Sequence, residues 1–116
     1  MSLNPSIRWV GISDNTGVLL NATYKEGVTL LLSNEENEEY ASNAVKRHMT
    51  RITFESKMGK MNYAVGRYEK LIRATIPINS NYYLLITLDV EAKDYDMIII
   101  EKVIPFVEKE KEKFLS

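Results

Sequence analysis

Apolar and polar positions along this chain follow two rhythms, one of strands and one of helices. Ile7–Ser13 is rich in β-branched and aromatic residues, with apolar side chains on both faces, which predicts a central strand covered on both sides. Gly11 within it, lacking a side chain, predicts a bulge or a close approach by a helix. Asp14-Asn15-Thr16-Gly17 is turn chemistry, since Asp and Asn bond back to nearby amides and Gly takes positive φ, so a hairpin returning along Val18–Tyr24 is expected. Lys25-Glu26-Gly27 breaks the pattern, and Val28–Leu32 leads into the next element.

The rhythm then changes to that of a helix. Ser33-Asn34-Glu35-Glu36 matches a capping box, with Ser33 as N-cap and Glu36 reaching back to its amide. Ala41, Ala44, Val45, His48, Met49 and Ile52 recur at helical spacing as one apolar stripe, and Gly59 suits a C-terminal cap. A helix over about 34–58 follows. Met61–Tyr68, Leu71–Ile76 and Tyr82–Leu88 read as strands, with Pro77 ending the second and Asn79-Ser80-Asn81 turning into the third. A closing helix is expected from near Asp94 towards Phe114, with Tyr95, Ile99, Val103, Phe106 and Val107 facing the sheet and Ile98 beside them. Pro105 removes the bond to the Glu101 carbonyl and should kink it. The order β-β-α-β-β-β-α predicts an α+β fold over residues 1–116 as one domain: a single five-stranded, mostly antiparallel sheet with helices packed on it.

Composition narrows the function more than it defines it. Apolar residues make up 45% and charged residues 27%, the balance of a folded chain, and at 116 residues about two-thirds of the unfolded surface can be buried. Cysteine is absent, which excludes disulfides, thiolate nucleophiles and Cys-based zinc sites. No apolar run approaches the roughly 20 residues of a membrane span, and the start lacks the regions of a signal peptide, so a cytoplasmic protein without a membrane role is expected. A net charge of −1 provides no global attraction to nucleic acid.

Candidate chemistry is sparse. His48, the single histidine, lies on the apolar stripe beside Lys46, Arg47 and Arg51, which lower its pKa, and no partner that would make it a base is evident. Glu35, Glu36, Glu38 and Glu39 sit where a helix dipole favours negative charge, and they lack the alternating ligands of a calcium loop, so no metal is expected. Lys46, Arg47, Arg51, Lys57, Lys60, Arg67, Lys70 and Arg73 form a candidate basic patch with Tyr63 and Tyr68 as possible stacking residues. Half-buried packing is the more ordinary role of strand tyrosines, and nucleic acid is not expected. No phosphate loop or nucleophile elbow occurs. The residues point to a non-enzyme without a cofactor.

The segment Val10–Leu20, with its Asp14-x-x-Gly17 turn, resembles the opening hairpin of the roadblock/dynein light chain family, and the remaining element order is similar to that fold. Met58–Val65 and Tyr68–Ile78 also resemble a group of small archaeal proteins. One departure is that roadblock proteins usually carry a helix before the first strand, whereas here six residues precede Ile7. The resemblance implies a regulatory or scaffolding module that homodimerises and docks partner proteins, often small GTPases. It implies a dimer seam on the long helix and the following strand, at His48, Met49, Ile52, Tyr63 and Val65. An alternative is a PAS- or GAF-like sensor, whose domains open on a similar hairpin, with a small molecule held between sheet and helix. Trp9 would line that pocket, although an aromatic of its size is more often core.

Overall fold

The computed structural model describes residues 5–25 and 31–110. Strands β1 (Ile7–Asp14), β2 (Leu19–Tyr24), β3 (Ala64–Arg67), β4 (Leu71–Pro77) and β5 (Tyr82–Asp89) form one antiparallel sheet in the order β2-β1-β5-β4-β3. The first strand therefore pairs with the last and lies inside the sheet, as its two-sided apolar pattern predicts. The entry run at 28–30 and the end of the closing helix beyond residue 110 lie outside the described residues.

Because side chains alternate along a strand, the sheet has two distinct faces. Ile72, Ala74 and Ile76 of β4 and Leu84, Ile86 and Leu88 of β5 point one way, into the main core with Ile98, Ile99, Val103 and Val107 of the closing helix. Trp9 and Leu85 point the other way, against Ala41 and Ala44 of helix α1 (Asn34–Arg51). The sheet is thus sandwiched between α1 and the closing helix. A register shift between Ile7 and Trp9 explains how two residues two apart reach opposite cores.

The capping box forms as expected, with Ser33 Oγ accepting from the Glu36 amide at 3.1 Å and Glu36 Oε1 accepting from the Ser33 amide at 2.9 Å. The helical path continues past Arg51 through a 3₁₀ turn at Ile52–Phe54 into a short helix α2 (Glu55–Met58), which ends at Gly59 with φ +84°. Two glycines meet a geometric demand. Gly11 lies under the Trp9 indole, where an added Cβ would come within 2.9 Å of Trp9 Cζ2 and 3.0 Å of Leu19 Cδ1. Gly17, at φ +90°, seats the hairpin tip on α1, where a Cβ would fall 2.8 Å from Ser42 Cα.

The closing helix departs from its predicted geometry at one place. It runs as α3 (Tyr95–Ile98), a π turn (Ile99–Val103) and α4 (Ile104–Glu110). The Ile104 amide bonds to the Ile99 carbonyl, five residues back. Pro105, which lacks an N–H and would clash with the Glu101 carbonyl, sits just after this widened turn. The extra residue shifts the helical phase, so the core line runs Ile99, Val103, Val107. Phe106, expected to face the sheet, is turned outward and is 45% exposed.

Candidate functional site

Three neighbourhoods carry the features that could recognise something. The first is the edge at β3, a strand of four residues that among the described residues pairs with β4 on one side only. Its Ala64, Val65 and Gly66 are half-buried rather than covered. The residues that the resemblance assigns to a seam fall on two elements near this edge. His48, Met49 and Ile52 lie at the end of the α1 path, whereas Tyr63 and Val65 pack against the core on the closing-helix side. Met49 is 38% exposed and Ile52 half-buried. His48 is buried, with its ring edge-on to Tyr83 at 5.0 Å. Tyr63 donates through its hydroxyl to Asp96 Oδ1 at 3.3 Å, tying the strand entry to the closing helix.

The second is a cleft of about 390 Å³ at the end of the sheet, between the α1 path and the closing helix. His48, Glu55, Lys60, Tyr83 and Glu108 supply its titratable lining, Ile76 and Val107 part of its apolar floor, and Asn79 a further polar group. The size lies within the usual range for small-molecule pockets. Two buried polar atoms here, His48 Nδ1 and Asn79 Nδ2, have no hydrogen-bond partner among the described residues. Burial holds the His48 pKa below 6.5, with Arg51 acting in the same direction and Glu55 opposing it. Burial is therefore the leading cause, ahead of the cationic neighbours that the sequence suggests. Burial also raises the Tyr83 pKa.

The third is a smaller groove of about 90 Å³ between α1 and β3. Arg47 and Arg51 from α1 and Arg73 from β4 line it together with Tyr40 and Tyr68. The candidate basic patch thus contracts to three arginines, and one of them, Arg73, is only 3% exposed. Arg73 lies over the Tyr40 ring at 3.6 Å and over the Trp9 ring at 5.3 Å, and its Nη2 donates to Asn37 Oδ1 at 3.2 Å. Arg47 lies over the same Tyr40 ring at 5.3 Å. Burial lowers the Arg73 pKa and raises that of Tyr40.

Trp9 is a core residue, 5% exposed among Ala41, Ala44 and Leu85, and it does not line the large cleft. It borders a hollow of about 30 Å³, space for little more than water. Among the described residues no cluster of His, Asp and Glu has the geometry of a metal site, and no helix is long and apolar enough to cross a membrane. Tyr40, Asn37, Tyr83 and Asn79 were not singled out by sequence pattern. Tyr40 and Asn37 have a detectable signal, since they flank the apolar stripe of α1 at helical spacing.

No family model and no curated protein matches this sequence. Solved structures do match it. A Roadblock/LC7 domain from Streptomyces avermitilis superposes with TM-score 0.73 at 12% identity, covering 97% of this chain and 88% of that one. The chain has the roadblock fold. Myxococcus xanthus MglB superposes with TM-score 0.72 at 12% identity, over 97% of this chain and 89% of its own. An MglB with a tetrameric arrangement superposes with TM-score 0.65 at 10% identity, over 90% and 79%. Identities this low establish a shared fold. Within the roadblock fold, α1 covers one face of the sheet, the closing helix covers the other, and the β3 edge lies at one margin.

Proposed function

We propose that this roadblock-like chain is a non-catalytic, cytoplasmic docking module that pairs with a second copy of itself and presents the paired surface to a partner protein. A small GTPase is the partner class that the resemblance implies. The observation that carries this reading is the four-residue edge strand β3, half-buried and unpaired on its outer side among the described residues, with Met49 and Ile52 partly open on the adjoining α1 path. An edge of this kind offers a row of backbone donors and acceptors that natural proteins cover or pair. The tetrameric arrangement of a structurally similar MglB supports self-association.

The test is molar mass in solution by light scattering after size exclusion. A species of twice 13.4 kDa that persists on dilution is expected. Tyr63→Arg should convert it to monomer, and because Asp96 lies beside the Tyr63 hydroxyl, the new guanidinium has a carboxylate to meet in the folded chain. A persistent dimer in that variant would move the seam away from β3.

A second reading, a PAS- or GAF-like sensor, is favoured by the cleft with its unpartnered His48 Nδ1 and Asn79 Nδ2. It predicts a small polar molecule retained in native mass spectrometry. Absence of a retained mass, together with no thermal shift across a metabolite panel, would count against it.

A further inference from the structure

We propose that the groove between α1 and β3 is an anion site that binds a phosphate-type dianion, free or as the terminal group of a small molecule, through Arg47, Arg51 and Arg73. Arg47, Arg51 and Arg73 line a space of about 90 Å³, and among the described residues no carboxylate lines it with them; Arg73 also borders the hollow beside Trp9, where its Nη2 meets Asn37. Arg is the side chain best matched to tetrahedral oxyanions, because its planar fork donates in fixed pairs. The volume falls well short of the roughly 300 Å³ at which drug-sized ligand pockets begin, so it suits one head group and excludes a whole nucleotide.

Arg73 separates this site from an ordinary basic surface. It is nearly fully buried, its Nε has no hydrogen-bond partner, and no ion pair to it exists among the described residues. A buried charge is normally paired, since desolvation is costly and must be offset by hydrogen bonds and counter-charge. Tyr40 and Trp9 offset part of that cost through their ring faces, and Asn37 supplies one acceptor. These neighbours hold the guanidinium in place without neutralising it. Arg47, over the other contact of the Tyr40 ring, and Arg51, one helical turn on, add two exposed cations at the mouth. A triply cationic groove is better matched by a dianion than by a single carboxylate.

The site does not rest on the docking reading, and light scattering on the same samples keeps the two separate. The experiment titrates the full chain with inorganic phosphate and with methyl phosphate at constant ionic strength, with chloride as the control. Binding is followed by calorimetry and by the arginine Nε–Hε resonances in NMR spectra. Saturable binding that shifts the Arg73 signal is expected, and the exposed-site variants Arg47→Gln and Arg51→Gln should each weaken it by about tenfold, the size of one lost charge-assisted hydrogen bond. Equal affinity for the two phosphates marks a site for a terminal head group, and preference for inorganic phosphate marks a site for the free ion; both support the proposal. No saturation by either phosphate, a response matched by chloride, or affinity unchanged in both glutamine variants would overturn it.

Discussion

Gly17 and Gly59 both have positive φ, +90° and +84°, yet they stand in opposite surroundings. That contrast tests whether the β1–β2 hairpin is seated on α1. An alanine held at positive φ costs about 1–3 kcal/mol, partly offset by about 0.4–1 kcal/mol from a less flexible unfolded chain. At Gly59, where ψ is 172°, nothing among the described residues lies within 4 Å of an added Cβ, so the cost is backbone strain alone, and relaxation of the open segment brings the expected loss to about 1 kcal/mol. At Gly17 the new atom would meet Ser42 Cα at 2.8 Å, which is helix backbone and cannot rotate away. Overpacking of this kind adds about 1–3 kcal/mol, bringing Gly17→Ala to about 3 kcal/mol. For a chain of this size that is a fall in Tm of about 12 °C, against about 4 °C for Gly59→Ala. Calorimetry and urea unfolding of the two variants provide the comparison. Ser42→Ala should not rescue Gly17→Ala, because it removes Oγ at 3.3 Å and leaves the nearer Cα in place. Equal losses in the two glycine variants, or rescue by Ser42→Ala, would show that the hairpin tip does not rest on the helix backbone.

Two acid transitions and one packing change can be checked on the same material. His48 is held below its ordinary pKa of 6.5 by burial, so its unfolded form takes up a proton first and stability falls as pH drops through 6.5 towards the lower folded value; His48→Phe should flatten urea midpoints over that window while keeping the ring contact with Tyr83. Asp14 is lowered from 3.8 by hydrogen bonds from the Thr16 hydroxyl and the Val18 amide, so its stabilising effect is complete above that value and is lost as pH falls below it; Asp14→Asn should remove this part of the acid transition, followed by circular dichroism from pH 5 to 2. Phe106→Lys at an exposed position should change stability by less than about 0.5 kcal/mol in urea melts, whereas Val107→Ala should cost about 2 kcal/mol. A reversed order of the last pair would mean that the π turn does not set the phase of the closing helix.

What was legible in the sequence was whatever local chemistry decides. Ser33 and Glu36 sit three residues apart, and the hydrogen bonds between them need nothing beyond one helical turn. Asp14 likewise organises its own turn, accepting from the Thr16 and Val18 amides through one carboxylate oxygen. The order of elements followed because each apolar period is long enough to read by itself. What could not be read depends on groups that meet only after folding. Phe106 and Val107 are adjacent and both apolar, and the choice between them falls to a π turn that relieves Pro105. The cleft joins segments around His48, Asn79 and Val107, and no spacing within any one of them implies it. Arg73 shows the limit most sharply. In sequence it is one cation in a run of basic residues, separated from Lys70 by two apolar positions. Strand alternation turns it towards α1 while Ile72 and Ala74 face the main core, and there Tyr40 and Trp9 close over it. A charge at that depth without a counter-charge costs stability in every molecule that folds. A glutamine there would avoid the desolvated charge, and a methionine would satisfy the packing. Tyr40, Trp9 and Asn37 offset part of that cost, and the phosphate titration measures whether an anion in the groove supplies the counter-charge that Arg73 lacks among the described residues.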